Sequence, residues 1–266
     1  FLGVSPNGFQ WEMLDAPPIP SQDESHFTYD EISGQYIAMI KLSTQWGRSV
    51  WLSTSKDFVH FSEPKLIFNS DEIDWQNCRQ RVREVIENPD YITPPVIDDE
   101  DYIAEVYQMA VLPYEGVYLG FPCLFNPFGA ISPPHMNFDR INQVELAISR
   151  DLYHWNRVAD RALFIDLDTW NGENYGTSQN LMCGRPVVRP DLGEIWVYYN
   201  ALRMPGSKEL FKEFNNNAEL YRLNVDPDLF NDAGALSLAK LRLDGFVSMD
   251  AEKVGWIITK PFMLNG

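Results

Sequence analysis

The 266-residue chain is 45% hydrophobic and 14% aromatic, a globular composition long enough for one large core or two. A net charge of −17 argues against nucleic acid and against anionic membrane surfaces, both of which are met with basic patches, and no apolar run reaches the 18 residues of a membrane span. Three scattered cysteines, Cys78, Cys123 and Cys183, make neither a disulfide framework nor a zinc site.

Taken from the N-terminus, the first feature is a short pattern that recurs. A Ser is followed two residues on by Asp or Asn and six residues on by an aromatic: Ser5-Asn7-Trp11, Ser55-Asp57-Phe61 and Ser149-Asp151-Trp155. The copies begin 50 and then 94 residues apart, about one and two units of a blade-sized repeat. Alternating stretches such as Ser49-Val50-Trp51-Leu52-Ser53 and Gln143-Val144-Glu145-Leu146-Ala147 lead into the second and third copies and predict strands. The Asp or Asn predicts a turn closed by its own bonds to nearby amides, and the aromatic is expected to open the next strand and pack between blades. Hairpins are predicted at Gly34, Gly116 and Gly193, each set between alternating segments.

Between these units the period changes. Over 70–88 the residues Trp75, Cys78, Val82, Val85 and Ile86 share one helical face, with Ser70 as the expected cap, Asp71 and Glu72 in the first turn and Pro89 beyond the end. The acidic run Asp98-Asp99-Glu100-Asp101 reads as a solvated loop, since contiguous acids do not make a calcium loop. The stretch 206–217 reads as another polar loop. The expected fold is an all-β propeller in a single domain over 1–266. It comprises a partial blade at 1–21, blades at about 22–68, 100–165 and 178–262, and the helical insertion. A closed propeller needs at least four blades, so this count predicts an incomplete ring with open sheet edges and a tendency to form homo-oligomers.

Three stretches carry a family resemblance: Ser-Pro-Asn-Gly-Phe-Gln-Trp at 5–11, Asp23 followed by Tyr-Asp-Glu-Ile-Ser-Gly-Gln-Tyr at 29–36, and Ser-Arg-Asp-Leu-Tyr-His-Trp at 149–155. Together they resemble the five-bladed propeller glycosidases, a superfamily of invertases, levansucrases, arabinanases and xylosidases. Glu105-Val106-Tyr107-Gln108-Met109, Pro113-Tyr114-Glu115-Gly116-Val117-Tyr118 and Asp244-Gly245-Phe246-Val247-Ser248 are similar to poorly characterised bacterial members. Such relatives carry further blades before the position of Phe1 and a β-sandwich after Gly266, which implies that this chain is a piece of a longer one. The compartment stays open, with export slightly favoured.

Glycoside hydrolysis needs two carboxyl groups flanking the bond, and a propeller delivers them from the starts of its inner strands. Asp23, after the stiff Ala16–Pro20 stretch, stands where the superfamily places its base or nucleophile; a turn aspartate is the plainer alternative. Glu105 opens the next blade and is the candidate acid. In the stretch 175–179 similar sequences often carry an acid beside the tyrosine, where this chain has Gly176, so Glu173 is the candidate for that role, against a solvated loop residue. Arg48 and Arg185 are candidates to hold a substrate hydroxyl or carboxylate, or to form structural ion pairs. His26 and His135 are candidate sugar donors, His60 and His154 belong to the repeat turns, and Trp46 and Trp170 are candidate stacking platforms. No cofactor and no metal are expected, and no nucleophile elbow, P-loop or dinucleotide fingerprint is present. The reading is a glycosidase acting on an exo-linked sugar of a plant or algal glycan. The alternatives are a non-catalytic carbohydrate-binding propeller or scaffold, and a phosphorylase using Arg48, Arg185 and a histidine for phosphate.

Overall fold

The computed structural model describes residues 2–91, 103–127, 140–203 and 232–259. The fold is all-β apart from one long helix, and it is built of antiparallel propeller-type blades that do not close into a ring among the described residues. A two-stranded piece, β1 (Gly3–Val4) with β2 (Glu12–Met13), comes first. The first blade follows as β3 (His26–Asp30), β4 (Gln35–Thr44), β5 (Gly47–Ser55) and β6 (Lys65–Phe68), each strand paired with the next.

The second blade runs β7 (Glu105–Tyr114), β8 (Val117–Pro127), then β9 (Arg140–Glu145) with β10 (Ala147–Ser149) as one interrupted strand. Its outer strand is likewise split, into β11 (Trp155–Arg157) on β10 and β12 (Leu163–Ile165) on β9. In the third blade β13 (Gln179–Met182) and β14 (Val187–Arg189) both pair with β15 (Glu194–Leu202), which pairs with β16 (Gly234–Arg242). A single parallel bridge, Gln179 to Asn142, joins the third blade to the second.

The predicted turn is the same object in all three copies. The Ser hydroxyl oxygen accepts from the amide three residues on (Gly8 2.8 Å, Phe58 3.0 Å, Leu152 2.9 Å). The Asn or Asp oxygen accepts two more, from Phe9 and Gln10, from Val59 and His60, and from Tyr153 and His154. The residue after the Asp or Asn has positive φ each time, 79° at Gly8, 64° at Phe58 and 70° at Leu152. His60 and His154 each add a ring bond to the same aspartate at 2.7 Å. The aromatics differ: Trp155 opens β11 and packs into the core, whereas Phe61 precedes β6 and Trp11 is exposed.

Two apolar clusters lie between blades. Ile37, Met39, Val50 and Leu52 of the first blade meet Val106, Met109 and Leu124 of the second, and Phe121, Cys123 and Val144 of the second meet Met182 and Val197 of the third. Burying one side chain of this size contributes about 1.5–3 kcal/mol, so the blade interfaces fix where the inner strands start. The helix α1 (Glu72–Glu87) lays Cys78, Val82 and Val85 on Ala104, Ile141 and Leu167. Its cap is Asp71, in a capping box with Asp74, and not Ser70. Ser70 is buried and accepts a hydrogen bond from the Trp75 indole instead. A charge network absent from the sequence reading pins α1 to the second blade. Arg161 holds Asp71 (2.7 Å) and Asp74 (2.6 Å), Arg157 holds Asp74 and Glu145, and Arg81 holds Glu145 at 2.8 Å. The three cysteines are free thiols. Among the described residues no helix is long and apolar enough to cross a membrane, and no cluster of His, Cys, Asp and Glu could hold a metal ion.

Candidate active site

The inner strands β3, β7 and β13 begin at one end of the blades, and the candidate residues divide according to that end. Asp23 stands three residues before β3. Its carboxylate is exposed and meets the Lys41 ammonium at 2.8 Å, with Glu24 at 3.7 Å from the same ammonium. Lys41 itself is buried in the middle of β4, and its Nζ lies 3.6 Å from the centre of the Tyr107 ring. The ion pair with Lys41, backed by Arg48, holds the Asp23 carboxyl below the usual range.

Glu105 is the first residue of β7 and forms an ion pair with Arg48 of β5. Gly47 makes this contact possible: it turns between β4 and β5 at φ 76°, and a side chain there would collide with the Glu105 carboxylate. Arg48 lies 4.6 Å from the Phe125 ring centre and 5.7 Å from that of Tyr107, and Arg140 at the start of β9 lies 5.3 and 6.0 Å from the same two rings. The rings stack on each other at 5.9 Å with planes 19° apart. Glu105 pairs with Phe125 across β7 and β8, and the register shifts by a bulge between Val106 and Gln108, at Tyr107. Burial and the nearby Glu24 raise the Tyr107 hydroxyl, and burial lowers Arg140. The result is one cluster from two blades: carboxylates of Asp23, Glu24 and Glu105, cations of Lys41, Arg48 and Arg140, and a stacked aromatic pair.

His26 opens β3 and shares a 2.9 Å hydrogen bond with Gln108, whose amide nitrogen donates to the Met182 carbonyl of the third blade. Burial pushes the imidazole pKa down, with the Gln108 bond opposing it. Trp46 sits in the β4–β5 turn beside Arg48, its carbonyl accepting from Ser70 at 3.5 Å. Trp170 donates its amide to the Asp90 carbonyl and so ties the 166–178 loop to the end of α1. Glu173 lies in that loop with its side chain exposed. Its amide bonds Asn171, and its carbonyl accepts from Arg203 at 2.8 Å.

Arg185 is at the other end. It donates to the Tyr29 carbonyl at 3.0 Å, near the far end of β3, and lines a cavity of about 390 Å³ with Tyr29, Leu112, Pro113, Pro186 and Val187. Arg48 and Arg185 therefore do not share a pocket. His135 and the acidic run 98–101 lie outside the described residues.

Lys41, Tyr107, Phe125 and Arg140 were not among the predicted site residues. Lys41 left a signal: it is the one charged residue in the apolar run Tyr36 to Leu42. Tyr107 and Phe125 carried none beyond their strand pattern.

No family model and no curated protein sequence matches the chain. Among solved structures it is similar to one described as a glycoside hydrolase, at 16% identity over 94% of this chain and 56% of that one, TM-score 0.42. A family 117 glycoside hydrolase from Zobellia galactanivorans shows 14% identity over 68% and 48%, TM-score 0.42. A β-1,2-mannobiose phosphorylase from Listeria innocua shows 13% identity over 66% and 35%, TM-score 0.39. The chain thus spans between about a third and just over half of these three structures' length. Likeness at this level leaves the function to the site itself.

Proposed function

We propose that the chain forms a carbohydrate-active propeller that cleaves a glycosidic bond at the starts of its inner strands. The observation that carries this reading is the joint placement of Asp23 and Glu105 beside the stacked Tyr107 and Phe125. Carboxyl groups supply the acid and the base or nucleophile, and flat rings offer an apolar face to a sugar. Asp23, held ionised by Lys41 and open to solvent, takes the base or nucleophile role. Glu105 takes the acid role: bound substrate displaces it from Arg48, it takes up a proton from solvent, and it gives that proton to the leaving oxygen. Lys41, Arg48 and Arg140 crowd the same rings, which favours a phosphorylase as the second reading, since three cations suit an attacking phosphate.

The test is sugar release from a panel of plant and algal oligosaccharides by wild type, Asp23→Asn and Glu105→Gln, with and without phosphate. The hydrolase reading expects phosphate-independent release, reduced at least about 100-fold in both variants. Release only with phosphate selects the phosphorylase. Glycan binding without release in either condition selects a binding propeller.

A further inference from the structure

We propose that Asp168, not Glu173, is the carboxylate that the segment leading into the third blade presents to the glycan, binding sugar hydroxyls together with the side-chain oxygen of Asn180. The proposal rests on the carbohydrate reading above and adds a third point of contact to it.

The backbone brings these groups together. The Asp168 amide donates to the Gly176 carbonyl at 2.9 Å, which lays the segment after β12 across the residues that lead into β13. Gly176 has no side chain, and the space is taken: a Cβ there would stand 2.8 Å from Asp168 Oδ2 and 2.9 Å from Asn180 Oδ1. Two acceptors thus flank one point.

The Asn180 amide cannot turn round to supply the missing donor. Its Nδ2 is committed to the carbonyls of Asp166 (2.8 Å) and Gly176 (3.3 Å), so Oδ1 faces Asp168. Asn180 is 1% exposed, and its Oδ1 has no hydrogen-bond partner. A buried acceptor left without a donor is rare in a finished structure and marks a place where something else donates. Next to it, the Asn142 amide donates to the Ser178 carbonyl at 3.1 Å. Both side-chain polar atoms of Asn142 and the Ser178 hydroxyl are also buried without partners. Asp168 itself is exposed, so a ligand reaches it from solvent.

The chemistry of the pair selects the ligand. Two oxygens that only accept require hydrogen donors and repel an anion, so a polyhydroxyl group fits here and a phosphate does not. The position fits too, because Gly176 and Asn180 flank the start of β13 at the same end as Asp23 and Glu105. Glu173 has its backbone fixed by Asn171 and Arg203 while its carboxylate stands exposed without a side-chain partner among the described residues.

The test compares wild type, Asp168→Asn, Gly176→Ala and Glu173→Gln as full chains, by thermal unfolding and by calorimetric titration with the panel oligosaccharide that wild type binds. Asp168→Asn is expected to weaken binding at least about tenfold while keeping Tm within about 2 °C, because a group kept for a ligand is not needed for folding. Gly176→Ala, whose Cβ would push the Asp168 and Asn180 side chains out of place, is expected to weaken binding similarly, and Glu173→Gln to leave it unchanged. Wild-type affinity in Asp168→Asn overturns the proposal. So does a Tm loss of several degrees in that variant, the mark of a structural carboxylate whose neighbouring acceptors are met by buried water. If wild type binds no member of the panel, the carbohydrate reading fails first and this proposal with it.

Discussion

Lys41→Met tests the electrostatics of the site most sharply. The Lys41 side chain is 2% exposed, with Asp23 at 2.8 Å, Glu24 at 3.7 Å and the Tyr107 ring at 3.6 Å. Burying an ammonium costs several kcal/mol, which its partners must offset. A cation over a desolvated ring contributes about 2 kcal/mol. The Asp23 pair contributes less than a buried pair would, about 1 kcal/mol, because Asp23 is 69% exposed and screened by solvent. Methionine removes the attractions and the desolvation cost together, so Lys41→Met should shift stability by no more than about 1 kcal/mol. Asp23→Asn removes only the partner and leaves the buried ammonium with Glu24 and the ring, at a cost of about 1–2 kcal/mol. In the Lys41→Met background the same Asp23→Asn change should cost almost nothing. Urea unfolding of the four proteins at pH 7 gives the coupling directly. A coupling below about 0.3 kcal/mol would refute the claim that Lys41 holds Asp23.

Glu145, fully buried between Arg81 and Arg157, anchors α1, so Glu145→Gln should destabilise by about 3–5 kcal/mol, read by urea unfolding, while Glu173→Gln changes nothing. Asp57→Ala and Asp151→Ala remove the same turn bonds from two complete blades and should lower Tm by similar amounts, with Asn7→Ala costing less at the two-stranded piece. Asp57 and Asp151 are both held below the usual carboxylate range, chiefly by their histidines. Their stabilisation is therefore present above about pH 4 and lost as pH falls further, and Asp57→Asn should flatten that part of a pH–stability curve. The His26 imidazole is lowered by burial, so its folded form resists protonation. Stability should be full above about pH 6.5 and fall below it, and His26→Gln should remove that slope.

The blade pattern was legible because a tight turn is a local object. Ser55, Asp57 and the positive-φ Phe58 form their bonds within six residues, so fixed spacing in sequence is fixed geometry in space. The helix was legible for the same reason, from one apolar face, and its cap was missed by one residue because Ser70 and Asp71 are both good caps. Only the packing decides that Ser70 is buried against the Trp75 indole. The starts of the inner strands could be named from the repeat, which is how Asp23, His26 and Glu105 fall at one end. What surrounds them could not. Arg48 meets Glu105 across 57 residues of chain, and Lys41 reaches Tyr107 from another blade. Such contacts depend on how blades are set against each other, and no periodicity records that. Arg185 shows the same limit in reverse: it follows the far end of β13, where it meets the Tyr29 carbonyl and not the starts of the inner strands.

The measurement that bears most directly on the central claim is a map of amide NMR shifts in the wild-type chain as the best oligosaccharide of the panel is added. A site at the Asp23 and Glu105 end predicts shifts centred on His26, Glu105, Tyr107, Asn142 and Gln179, near the starts of β3, β7, β9 and β13. Shifts centred instead on Tyr29, Leu112, Arg185 and Val187, around the cavity at the other end, would contradict it.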